Sequence, residues 1–156
     1  MKKIIFSIIL CLAFVGSALA SSTPSEAIAF FNKYVNGANT YSPEIVTMYS
    51  PSAKIVREII RPDGSIVTRV TNTDRYISEM RKGQALAKLR KYKNYYSNIN
   101  ATQVGIDTYK VSSLRQPSGE TYKLKAYMVV QKQANGNWLI IEEMMQTKVQ
   151  MLINAK

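Results

Sequence analysis

Two arginines and two pairs of neighbouring side chains carry the first chemical signal. Arg57 and Glu58 are adjacent in a run rich in Ile and Val, Arg69 stands in the run that follows, and Glu142 and Glu143 adjoin near the C-terminus. In an extended strand successive side chains point to opposite faces, so one member of each pair faces the core and the other solvent. A carboxylate on the core face is a candidate acid or base. A guanidinium is protonated at any ordinary pH, cannot act as a general base, and grips anions through its fork of donors. The ten tyrosines are a supply of hydroxyls, while Met144, Met145 and Met151 read as packing residues rather than a metal box. There is no His, and the one Cys, Cys11, lies in the leading apolar run. Those absences exclude a Ser/His/Asp or Cys/His triad, a Cys/His zinc site, His-ligated haem and an intrachain disulfide. No metal and no cofactor are expected.

The elements that would position these residues can be read along the chain. Thr23-Pro24-Ser25-Glu26 forms a capping box with Pro at the first helical position, ahead of the apolar spacing Ile28, Phe31, Val35. That helix should end near Asn36, at Gly37. Ser42-Pro43 opens a short second helix containing Ile45, Val46 and Tyr49 and stopped by Pro51. Strands Ala53 to Ile60 and Ser65 to Thr71 flank the turn residues Pro62-Asp63-Gly64. Thr73-Asp74 opens a third helix that carries Tyr76, Ile77, Met80, Gln84 and Ala87 along one face and has Gly83 inside it. Four strands follow, at Tyr92 to Gln103, Thr108 to Arg115, Tyr122 to Gln133 and Trp138 to Lys148, the last two joined by Asn135-Gly136. Ile153 to Lys156 reads as a frayed tail. The order is α+β: helices gathered on one face of a curved, mostly antiparallel six-stranded sheet wrapped around three helices of the N-terminal half.

Composition sets the compartment and the class. The chain has 156 residues, 46% hydrophobic and 20% charged, which is ordinary for one globular domain. Lys2 and Lys3, the apolar run Ile4 to Val15 and the small residues up to Ala18-Leu19-Ala20 form a secretory signal peptide with cleavage before Ser21. The run of 12 is too short for a membrane anchor, which takes about 20. The expected organisation is a signal peptide at 1–20 and one domain at 21–156, periplasmic or secreted, with no membrane span after cleavage. The full chain carries +11, and removal of the two leading lysines leaves +9 on the mature part. Much of the excess sits between Arg75 and Lys93, on Arg81, Lys82, Lys88, Arg90 and Lys91 among others. An exported chain without a metal-binding acid cluster is not expected to bind nucleic acid. Anionic lipid headgroups or envelope polymers suit the charge better, and a solvated helix face is the plainer alternative.

The order of elements resembles the nuclear transport factor 2-like superfamily, the cone-shaped, cystatin-like roll shared with ketosteroid isomerase-like and polyketide cyclase-like proteins. The resemblance spans nearly the whole mature chain. It rests on the first helix with Phe30, Phe31 and Tyr34, on Met48-Tyr49-Ser50-Pro51-Ser52-Ala53-Lys54-Ile55 leading into the first strand, and on Gly136-Asn137-Trp138-Leu139-Ile140-Ile141-Glu142. It implies a pocket between the inner sheet face and the helices, and frequent dimerisation through the open face of the sheet. It also implies a carboxylate base near the end of the first strand, where ungapped counting finds Arg57 instead.

The hairpin turn pairs Ile60 with Ile66, Glu58 with Thr68 and Arg57 with Arg69, which puts two like charges side by side at a cost of a few tenths to about 1 kcal/mol. Either an anionic group held by both guanidinium forks relieves that repulsion, or the arginines pair with Glu142 or Glu143 or lie in solvent. The ligand-binding candidates are Arg57, Arg69, Tyr34, Tyr49, Tyr76, Phe30 and Ile55. The first function expected is non-catalytic binding of a small anionic molecule or envelope component. A small cofactor-free isomerase, dehydratase or cyclase is the second, with Glu58 or Glu142 as proton carrier and Tyr34 as donor. A homodimeric interaction module is the third.

Overall fold

The computed structural model describes residues 21–153, so the expected signal peptide lies outside the described residues. Helix α1 runs Pro24–Asn39, a 3-10 helix covers Pro43–Met48, and β1 (Tyr49–Ile60) and β2 (Ile66–Thr71) form a hairpin. Then come α2 (Thr73–Leu89), the meander β3 (Asn94–Gly105), β4 (Thr108–Pro117), β5 (Leu124–Lys132) and β6 (Trp138–Thr147), and a final 3-10 helix, Gln150–Ile153. The six strands make one open sheet in the order β2-β1-β6-β5-β4-β3. Every pairing is antiparallel except β1 with β6, which joins the first hairpin to the meander. This is the α+β architecture expected.

Local chemistry accounts for most boundaries. The Thr23 hydroxyl and Glu26 carboxylate cap α1 reciprocally, with Pro24 in the first turn. At the hairpin, Asp63 Oδ1 accepts from Ser65 N at 2.9 Å and Gly64 takes φ 85°, so the register is Ile60 with Ile66, Glu58 with Thr68 and Arg57 with Arg69, as read from the turn. Gly83 does not interrupt α2.

Several strand ends shift by one or two residues, and two boundaries move further. Helix α1 passes through Gly37 and stops at Tyr41, which adopts φ 60° while its N–H reaches Ala38 O and Ser42 N–H reaches Gly37 O. That is a Schellman stop with tyrosine in the left-handed position. Gly37 has a different job: a Cβ there would lie 2.7 Å from Ile45 Cγ2, so it admits the 3-10 helix against α1. Strand β1 begins at Tyr49, before Pro51, and its ladder to β6 is irregular between Tyr49 and Lys54, where Pro51 has no N–H to give.

The core lies between α1 and the concave face of the sheet. Ala27, Phe31 and Tyr34 pack on Ile55, Tyr109, Val111, Met128, Val130 and Ile140. Phe31 meets Tyr96 edge to face at 5.2 Å. Ser22 is anchored where the described chain begins, its N–H and hydroxyl both donating to Asp107 Oδ1, at 2.8 and 2.6 Å, and its carbonyl accepting from Tyr109.

Candidate ligand-binding site

The centre of the concave face is polar. β5 and β6 pair Val130 with Ile140 and Val129 with Glu142, so Ile141 is an extra residue, a β-bulge. Trp138 and Ile140 therefore face the core before it, and Glu143 and Met145 after it. Glu142 points to the opposite face, where it accepts from the Tyr127 hydroxyl at 2.6 Å. Glu143 is 0% exposed.

Three donors converge on Glu143. Arg57 Nη2, from β1, donates to Oε1 at 2.6 Å, and the Tyr76 hydroxyl, from α2, donates to the same oxygen at 3.1 Å. The Tyr49 hydroxyl donates to Oε2 in a short bond. The Tyr34 and Tyr49 oxygens are 2.8 Å apart; Tyr49 has one proton and directs it at Glu143, so the hydrogen between the two phenols is Tyr34's. The rings support this geometry, with Tyr34 against Tyr49 and Tyr49 against Tyr76 edge to face at 5.9 and 5.5 Å, and the Arg57 guanidinium 4.8 Å over Tyr76.

Burial, followed by the nearby Glu143 charge, holds the Tyr34 and Tyr49 phenols far above their ordinary value. The same two effects, opposed by Arg57, push Tyr76 to about 12. All three are protonated donors at neutral pH. Burial disfavours the charge on Arg57, but Tyr76 and Glu143 outweigh it and raise its pKa.

Beside this cluster, between the hairpin, α2 and the last 3-10 helix, lies a cavity of about 170 Å³. Ile55, Arg57, Tyr76, Arg69, Thr71 and Leu152 line it, and Arg75 and Glu79, paired at 2.9 Å, stand at its rim. Arg69 uses Nε and Nη2, at 3.0 and 2.8 Å, to hold the carbonyl of Ile153, the first residue of the expected tail, whose other residues, 154–156, lie outside the described residues. Aromatic side chains from α1 and β1 fill much of the space beneath the sheet, and the opening is smaller and closer to the hairpin edge than a cone-shaped pocket implies.

The structure thus brings Arg57, Arg69, Tyr76 and Ile55 to one cavity and sets Tyr49 and Tyr34 behind it in a hydroxyl chain. Phe30 is elsewhere, stacked 6.2 Å from Trp138. The two carboxylates expected as proton carriers both lie on the outer face: Glu142 is turned there by the bulge, and Glu58, on the opposite side of β1 from Arg57, accepts from Gln146 Nε2 at 2.9 Å. Sequence reasoning left open which of Glu142 and Glu143 faces inward, and it missed the parts played by Leu152, Thr71 and the Arg75–Glu79 pair. The spacing of Arg75 and Glu79, four apart on a helix, was the one available signal.

No family model matches this chain, and no curated protein matches it. Solved structures do. A nuclear transport factor 2-like protein of unknown function from Shewanella oneidensis MR-1 superposes with TM-score 0.59 at 11% identity, over 79% of this chain and 98% of that one. A candidate scytalone dehydratase from Novosphingobium aromaticivorans DSM 12444 gives 0.56 at 16%, over 78% and 81%. A candidate ketosteroid isomerase from Shewanella frigidimarina NCIMB 400 gives 0.54 at 17%, over 75% and 91%. The chain has the nuclear transport factor 2-like fold.

Proposed function

We propose that this protein is an exported, non-catalytic binding protein that takes a small anionic group, a carboxylate or phosphate, into the cavity between the β1–β2 hairpin, α2 and the last 3-10 helix. One observation carries the reading: Arg57 and Arg69, paired across the hairpin, face the same cavity with Arg75 at its rim. Glu143 balances Arg57 and Glu79 balances Arg75, while Arg69 is engaged by a backbone carbonyl and keeps its charge for a ligand. A cavity of about 170 Å³ is below the roughly 300–1,000 Å³ of sites for drug-sized molecules, so the guest is small.

An enzyme of the isomerase or dehydratase kind needs a general base open to its substrate, and the carboxylate that lines this cavity, Glu79, is tied to Arg75 at 2.9 Å. Glu143 is enclosed, with both oxygens engaged by three donors, so it is suited to orient Arg57 and Tyr76 rather than to take a proton from a guest.

Isothermal titration of the purified protein with inorganic phosphate, malonate and neutral malonamide tests the proposal. Phosphate or malonate should bind and malonamide should not. Arg69→Gln should weaken the anion by about 10- to 150-fold, the effect of removing a charge-assisted hydrogen bond of about 1.5–3 kcal/mol. Arg69 is the better target because Arg57→Gln also strips Glu143 of its partner. Absence of anion binding, or malonamide binding as well as malonate, would sink the reading. N-terminal sequencing of the exported protein checks the compartment, with Ser21 expected first.

A further inference from the structure

We propose that the groove between the end of α1, the 3-10 helix Pro43–Met48 and α2 is a second binding site, for a small amphipathic acid. Its apolar body would lie against Ile45, Met80 and Ala87, and its carboxylate would be held at the rim by Arg81. The groove is about 290 Å³ and no sheet residue lines it, so it is separate from the arginine-lined cavity, which meets α2 nearer its start, at Arg75, Tyr76 and Glu79. Arg81 is the charged residue among its lining, and Lys82 and Lys88 are exposed on the same helix, so the surroundings favour an anionic head.

Three local features that cost stability meet in this groove, and packing explains none of them. The first is Gly83, in the interior of α2, where glycine is less favourable than alanine. A Cβ at Gly83 would meet nothing within 4 Å, so neither crowding nor a left-handed backbone requires it. What its missing side chain does is leave the groove open. The second is Tyr41. A Schellman stop needs a residue at positive φ and glycine adopts that conformation without strain, yet a bulky tyrosine occupies the position at φ 60°. Gln84 Nε2, from α2, donates to the Tyr41 carbonyl at 2.7 Å and holds it across the groove. The third is the Tyr41 hydroxyl, which is buried and has no hydrogen-bond partner among the described residues. An unsatisfied buried polar group destabilises the fold, because it has given up water and gained no partner. A glycine and a strained tyrosine lining one apolar groove, beside a hydroxyl left without a partner, are the pattern of a site kept open for a guest.

The test is a titration of the purified protein with sodium decanoate and with 1-decanol, both below the concentration at which they aggregate. Decanoate should bind with one-to-one stoichiometry. Gly83→Leu, which fills the groove while improving helix propensity, should lower its affinity at least tenfold with the circular dichroism melt unchanged or raised. Arg81→Gln should weaken decanoate several-fold and leave decanol as it was. The proposal is overturned if decanoate shows no saturable binding, or if Gly83→Leu binds it as well as the parent. Decanoate binding that survives Gly83→Leu, together with adhesion to phosphatidylglycerol vesicles and not to phosphatidylcholine vesicles, would instead assign the cations of α2 to a membrane surface.

Discussion

The guanidinium of Arg57 and the carboxylate of Glu143 are diagonal neighbours across the parallel β1–β6 pair, with Nη2 2.6 Å from Oε1 and the glutamate fully enclosed. Neither charge can leave without stranding the other in a poorly solvated place. Arg57→Met should cost about 3–5 kcal/mol in urea unfolding, because the buried carboxylate loses its counter-charge. The double variant Arg57→Met with Glu143→Leu should recover much of that loss. Two losses that simply add would show that the pair is not coupled. The lone tryptophan, Trp138, packed against Phe30 and Tyr109, reports the transition.

The hydroxyl chain predicts an order of effects. Tyr49→Phe removes a donor from Glu143 and the acceptor of the Tyr34 proton, and should cost about 1.5–3 kcal/mol. Tyr34→Phe removes the outer bond and leaves Glu143 its three donors, so about 0.5–1.5 kcal/mol is expected. Equal losses by denaturant titration would contradict the proton order assigned here.

Raised phenol pKa values make the protein sensitive to alkali. Tyr34, Tyr49 and Tyr76 titrate above 10.0 in the folded chain, with Tyr76 at about 12. Between their unfolded and folded values only the unfolded chain releases these protons, so stability falls as pH rises. These groups contribute no pH dependence below that window. Unfolding free energy measured from pH 7 to pH 12 should begin to drop near pH 10, and less steeply in Tyr76→Phe. An identical slope in the variant would remove Tyr76 from the explanation.

Two glycines should respond oppositely to the same added methyl group. Gly37→Ala drives a Cβ to 2.7 Å from Ile45 Cγ2 and should lower stability by about 1–3 kcal/mol as the 3-10 helix is pushed off α1. Gly83→Ala meets open space in a helix and should raise stability by roughly 0.5–1 kcal/mol. Thermal melts of the two variants give the comparison directly.

Which features were legible from the chain follows from how far apart their determinants lie. The cap at Thr23 to Glu26, the turn at Pro62 to Gly64 and the alternation of β1 and β2 each depend on residues within a few positions of one another. The facing of Arg57 with Arg69 follows from the turn alone, since period two leaves one register. The helix stop was misplaced because Gly37 carries a stop signal in isolation, and only the arrival of Ile45 beside it shows what the glycine is for.

The amino-acid order by itself determined the α+β succession of elements, the hairpin register and the face shared by the two arginines, because short-range hydrogen bonding and periodicity settle those. Which glutamate lies beneath them was decided only by the folded sheet. A single extra residue at Ile141 reverses the facing of everything after it on β6, and a bulge is set by how β5 and β6 fit each other rather than by either strand. The groups that hold Glu143 come from β1 and α2, with Tyr34 of α1 behind Tyr49, so that site exists only once distant segments have packed together.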